Sequence, residues 1–109
     1  MGILYLKIDC NNQSIIEHLP NSIEQIELDF FFDLELNNLP CSIKKITFDK
    51  SSMYNKKLNC LPKFIEIIKL PQYYDNKIKI IPSGLKKIIC HEKYKYSDDF
   101  ANCQIETYK

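Results

Sequence analysis

Leu19-Pro20-Asn21-Ser22-Ile23-Glu24-Gln25-Ile26-Glu27-Leu28 returns twenty residues later as Leu39-Pro40-Cys41-Ser42-Ile43-Lys44-Lys45-Ile46-Thr47-Phe48. Two looser copies start at Leu61-Pro62 and Ile81-Pro82, so the apolar-proline step recurs at intervals of 20, 22 and 20 residues. Three residues after each proline stands Ile23, Ile43, Ile65 or Leu85. Three further on come Ile26, Ile46, Ile68 and Ile88, and two after those Leu28, Phe48, Leu70 and Cys90. The N-terminal segment spaces Ile3, Leu6 and Ile8 the same way without the proline. All fifteen positions are apolar, where a composition of 45% apolar residues would place about seven.

The spacing has a physical reading. Ile26 and Leu28 share parity, so a short strand runs through them with one face buried. The step of three from Ile23 breaks that parity, so the chain bends there. The proline sits at a corner, where no ladder N–H is needed. Further columns line the return arm: Ile16, Leu36, Leu58 and Ile78, and before them Phe32, Tyr54 and Tyr74, each followed by Asp33, Asn55 or Asp75. The first repeat has Asn12-Gln13 in that place. The two extra residues of the longer interval fall near Ser51-Ser52, in a loop. Prolines this frequent exclude long helices. A unit of this size cannot bury its own apolar face, but stacked units can. The expected fold is a repeat solenoid of about five short parallel β-strands on one face, with irregular return arms and few or no helices. The coils lie near 1–18, 19–38, 39–60, 61–80 and 81–92, and 93–109 is read as a C-terminal cap using Phe100, Ile105 and Tyr108.

Leu-Pro-Asn-Ser-Ile (19–23) and Leu-Pro-Cys-Ser-Ile (39–43), each followed by x-x-Ile-x-Leu/Phe, resemble the FNIP repeat, a short relative of the leucine-rich repeat found in slime moulds and amoeba-infecting giant viruses. The resemblance covers roughly residues 1–92. It implies a leucine-rich-repeat-like solenoid whose strand-side face docks a partner. Phe64 and Gly84 depart from the Ser of the motif, and the Phe-Asn element is degenerate. Many family members carry an F-box ahead of the repeats. Here the repeats begin at residue 3, so no F-box and no ubiquitin-ligase adaptor role is expected.

The chain has 109 residues, the size of one domain. It has no Arg, Val or Trp, but 17 Ile, 15 Lys and 9 Asn, the usage of an AT-rich genome. Only Gly2 and Gly84 are glycine, which excludes Gly-rich dinucleotide and phosphate loops. No run is apolar enough to span a membrane, and no signal peptide is read, so a cytoplasmic setting is expected, the host cytoplasm if the source is viral. Charge is uneven: −6 over residues 1–38, +9 over 39–97 and −2 over 98–109.

No catalytic, cofactor or metal site is read. Cys10, Cys41, Cys60, Cys90 and Cys103 form no C-x-x-C and are odd in number. Cys90 occupies a core column, and Cys41 and Cys60 fall three residues out of column, too far for a bridge. Cys90-His91 are strand neighbours that point to opposite faces, and His18 has no companion. Asp9, Asp29 and Asp49 would stack at about 4.8 Å, so they are expected to turn into the loops and accept backbone N–H bonds.

The strand positions facing away from the core are the candidate partner-binding face. One ladder is Tyr5, Gln25, Lys45, Ile67 and Lys87; the next is Lys7, Glu27, Thr47, Lys69 and Ile89. Tyr5, Ile67 and Ile89 are apolar anchors among charges. The expected function is non-enzymatic binding of a protein partner. The alternative is nucleic-acid or other polyanion binding through the Lys-rich residues 39–97, where the absence of Arg removes bidentate phosphate recognition. The uncapped N-terminal edge strand Ile3 to Ile8 invites self-association.

Overall fold

The computed structural model describes residues 4–9 and 11–109. Ile3 and Cys10 of the sequence reading lie outside them. The architecture is a β-solenoid of about five turns with one six-stranded parallel sheet. Its strands are β1 (Leu4–Ile8), β2 (Ile23–Leu28), β3 (Lys45–Phe48), β4 (Ile67–Lys69), β5 (Lys87–His91) and β6 (Gln104–Tyr108), and they pair in chain order.

Each coil turns two corners. Before the strand, the amides of Ile23, Ile43, Ile65 and Leu85 donate to the carbonyls of Pro20, Pro40, Pro62 and Pro82 at 3.1–3.2 Å. Proline serves here as an acceptor, which it can be, and is not asked to donate. After the strand, the amides of Phe32, Ser52, Tyr74 and Tyr94 close onto Asp29, Asp49, Pro71 and His91 at 3.0–3.1 Å. Two of the three aspartates turn into the loops as expected: Asp29 Oδ1 accepts the Phe31 amide at 3.0 Å and Asp49 Oδ1 the Ser51 amide at 2.9 Å. The extra residues of the third coil do form a loop, and Ser52 turns inward so that its Oγ accepts the Tyr54 amide at 3.0 Å.

The inward columns fill the core. Ile26, Ile46, Ile68 and Ile88 are buried in register, and Leu28, Phe48, Leu70 and Cys90 are buried two residues further along. Each buried aliphatic side chain contributes about 1.5–3 kcal/mol relative to exposure. The return arms have no ladder of their own, so their carbonyls need other donors. Tyrosine supplies them. The hydroxyls of Tyr54, Tyr74 and Tyr94 donate to the carbonyls of Leu34, Lys56 and Asn76 on the preceding coil at 2.9, 2.8 and 2.7 Å.

The structure fits the expected solenoid and adds detail to it in three places. There are six strands rather than about five. Residues 93–109, read as a cap, do bury Phe100, but they also build β6. The Cys103 amide donates to the Phe100 carbonyl at 2.9 Å, the same corner without its proline. A short helix α1 (Gln13–Glu17) fills the first return arm, where Asn12 replaces the aromatic column and caps Ser14 N at 3.0 Å. Leu6 occupies a core column but is exposed, since among the described residues no coil lies beyond β1.

Burial pushes the phenols of Tyr54, Tyr74 and Tyr94 up, and that of Tyr108 up to about 12. An unfolded phenol ionises near pH 10, while the folded one keeps its proton, so the stabilisation is complete below about pH 10 and is lost as pH rises towards 12. Thermal melts should therefore fall steeply above about pH 10. Tyr54→Phe, which orphans the Leu34 carbonyl, should cost about 1–2 kcal/mol in urea titration. An unchanged urea midpoint would show that the hydroxyl is not a structural bond.

Candidate functional site: the strand-side face

The parallel register decides which side chains share the outer face. Tyr5, Gln25, Lys45, Ile67, Lys87 and Gln104 stand on successive rungs, and so do Lys7, Glu27, Thr47, Lys69, Ile89 and Glu106. The face therefore brings together all ten residues read from the sequence and adds Gln104 and Glu106 from β6. Burial alternates along β3 and β5, with these residues on the more exposed parity.

Charges pair both within and between the ladders. Lys7 Nζ lies 3.7 Å from Glu27, which also accepts the Tyr5 hydroxyl. Lys87 Nζ lies 2.8 Å from Glu106, and the lysine holds that carboxyl below its ordinary range. Lys69 Nζ sits 5.7 Å from the centre of the Tyr108 ring, within cation–π reach. Of the three expected anchors, Tyr5 is exposed, but Ile67 and Ile89 are half-buried among their charged neighbours.

A stronger apolar feature lies beside this face. Phe31, Met53 and Tyr73 each precede a buried aromatic by one residue and form exposed positions at the same corner of successive coils. Phe31 is 72% exposed and packs edge-on against Phe30 at 4.9 Å. The segment from Phe30 to Asp33, with Met53 and Tyr54, lines a shallow groove of about 230 Å³. The sequence carried this signal as apolar residues of outward parity beside the Phe32, Tyr54 and Tyr74 column.

A second groove, of about 560 Å³, opens on the corner before the strands, lined by Cys41, Ser42, Lys44, Phe64, Glu66, Gly84 and Lys86. It exists because Gly84 leaves open the place where Phe64 projects on the coil before: a Cβ there would meet only the Ile65 carbonyl oxygen, at 3.9 Å.

Four lysines of the basic half are paired with carboxylates. Lys77, Lys86, Lys87 and Lys95 pair with Asp99, Glu66, Glu106 and Asp75. Its aromatic side chains divide: Tyr74 and Tyr94 are buried, Tyr96 lies between Lys77 and Lys95 at 5.7 and 5.4 Å, and Phe64 and Tyr73 are exposed. His91 Nδ1 accepts the Lys93 amide at 3.1 Å, and His18 Nδ1 meets the Ser14 carbonyl at 2.8 Å. Among the described residues no helix is long and apolar enough to cross a membrane.

Searches of family models, curated proteins and solved structures find no match to this chain.

The cysteines divide by burial. Cys41 and Cys60 are exposed free thiols. Cys90 is fully buried, and burial pushes its thiol up. Cys103 is half-buried, is pushed up for the same reason, and donates from Sγ to the Leu85 carbonyl at 3.2 Å. Iodoacetamide near pH 8 should label Cys41 and Cys60 first, Cys103 slowly, and Cys90 only after unfolding, as read by peptide mass mapping. Early labelling of Cys90 would show that the core column opens without global unfolding.

Proposed function

We propose that the chain is a non-enzymatic protein-interaction module that docks a partner on the strand-side face. The observation that carries this reading is the exposed ridge of Phe30, Phe31, Met53 and Tyr73 along the edge of a charged, in-register face. Exposed aromatics bordered by charge are the composition of a binding hot spot with a polar rim. Tyr5, Lys7, Gln25, Glu27, Lys45, Thr47, Ile67, Lys69, Lys87 and Ile89 supply that rim. The solenoid is compatible with the FNIP and leucine-rich-repeat likeness of residues 19–48, which supports the same docking mode and an amoebal or giant-viral source. Free thiols at Cys41 and Cys60 suit a reducing cytoplasm.

The polyanion reading has less support. Single-strand binding needs a focused cationic groove and free aromatic platforms, whereas here Lys77, Lys86, Lys87 and Lys95 are paired with carboxylates and Tyr74, Tyr94 and Tyr96 are occupied.

Retention from amoebal lysate should separate the readings. A protein captured by the wild type should be lost from the charge-reversed variant Glu27→Lys with Lys69→Glu, and weakened about tenfold or more by Phe31→Ala. Equal capture by all three would sink the face. Binding of an oligonucleotide that falls steeply with salt would favour the polyanion reading instead.

A further inference from the structure

The two ends of the sheet are unpaired edges of matching make-up. Among the described residues β1 pairs only with β2, and β6 only with β5. Both end strands have five residues, while the interior strands β3 and β4 have four and three. At each end a core column is left uncovered. Leu4, Leu6 and Ile15 are 43%, 37% and 40% exposed at one end, and Ile105 is 40% exposed at the other. Strand edges of this kind are templates for pairing with another chain.

The register specifies what each edge would accept. Every rung sets the Tyr5 position beside its equivalent on the next strand, through Gln25, Lys45, Ile67 and Lys87 to Gln104. A seventh rung built from another β1 would place Leu6 on Ile105 and Lys7 beside Glu106. Lys7 is the only charged residue of β1, and Glu106 the only one of β6. They are opposite in sign and occupy the same ladder. Pairing either edge with itself brings no opposite charges together.

We propose that a second copy of this chain adds its β1 to β6 in parallel, head to tail. The junction continues the sheet at about 4.8 Å per strand. It extends the contact between Lys87 and Glu106, 2.8 Å apart, and that between Lys7 and Glu27, 3.7 Å apart, into one alternating series across four rungs. It also covers Leu6 and Ile105. The joined surfaces are different, so the contact is heterologous and generates open stacks rather than a closed dimer. This inference uses the strand edges and stands apart from the partner reading of the face.

Sedimentation velocity over a concentration series at low salt tests it. The weight-average mass should rise with concentration and pass the dimer without a plateau. Lys7→Glu and Glu106→Lys each set like charges across the junction and should each weaken assembly about tenfold. An equimolar mixture of the two variants should recover assembly, because each head then meets a tail of opposite charge. Lys7→Gln and Glu106→Gln should fall between wild type and the reversals. Both side chains are exposed, and circular dichroism and urea midpoints confirm that each variant folds. A monomer at every concentration, a plateau at the dimer, or no recovery on mixing would overturn the proposal.

Discussion

Everything in this chain rests on parallel stacking in constant register. A coil of about 20 residues buries almost nothing by itself, so its apolar side chains gain only from the coils on either side. Ile26, Ile46, Ile68 and Ile88 form the spine of that arrangement. A slip of one residue on any of these four rungs would turn its column isoleucine outward, and in one direction would bring Glu27, Lys45, Lys69 or Lys87 inward. The outer ladders inherit their order from this constraint: the same register that buries the isoleucines stacks Lys45, Ile67 and Lys87 on the opposite face.

Strands account for only part of each coil, and the remainder shows how the fold answers its own polar groups. The corners are closed by the carbonyl of a proline on one side and by that of Asp29, Asp49, Pro71 or His91 on the other. The arms are satisfied by the tyrosine hydroxyls, each reaching back one coil. These bonds explain why the inner aromatic column is tyrosine from the third coil onwards. Phe32, one coil earlier, faces an arm occupied by α1, whose Ser14 carbonyl is met by His18 instead. The aromatic ring fills volume in both cases, and the hydroxyl is present where a carbonyl needs it.

How much of this was legible in the sequence follows from the same logic. The proline steps and the isoleucine columns announce four corners and four strands, and the outer ladders then follow from parity alone. β6 was missed because its corner, Phe100 to Cys103, lacks the proline, and because its inward column ends in Thr107. α1 was missed because five residues are too few to show a helical period, leaving the Asn12 cap as its only sign. The exposed ridge was overlooked for another reason. Phe31, Met53 and Tyr73 sit one residue before the core aromatics, and only the corner geometry shows that they point outward together.

The ends of a stack are where its logic becomes asymmetric. An interior coil has two neighbours, and its sequence need satisfy only the register. A terminal coil must either end the register or extend it. A polar, short or bulged edge strand would end it. β1 and β6 are longer than the strands between β2 and β5, and each keeps an apolar side chain in the core column. The single charge on each blunts pairing with its own kind while leaving the opposite edge acceptable. In the proposed stack Lys7 and Glu106 act as selective guards: the ladder that orders the face also gives the solenoid a direction.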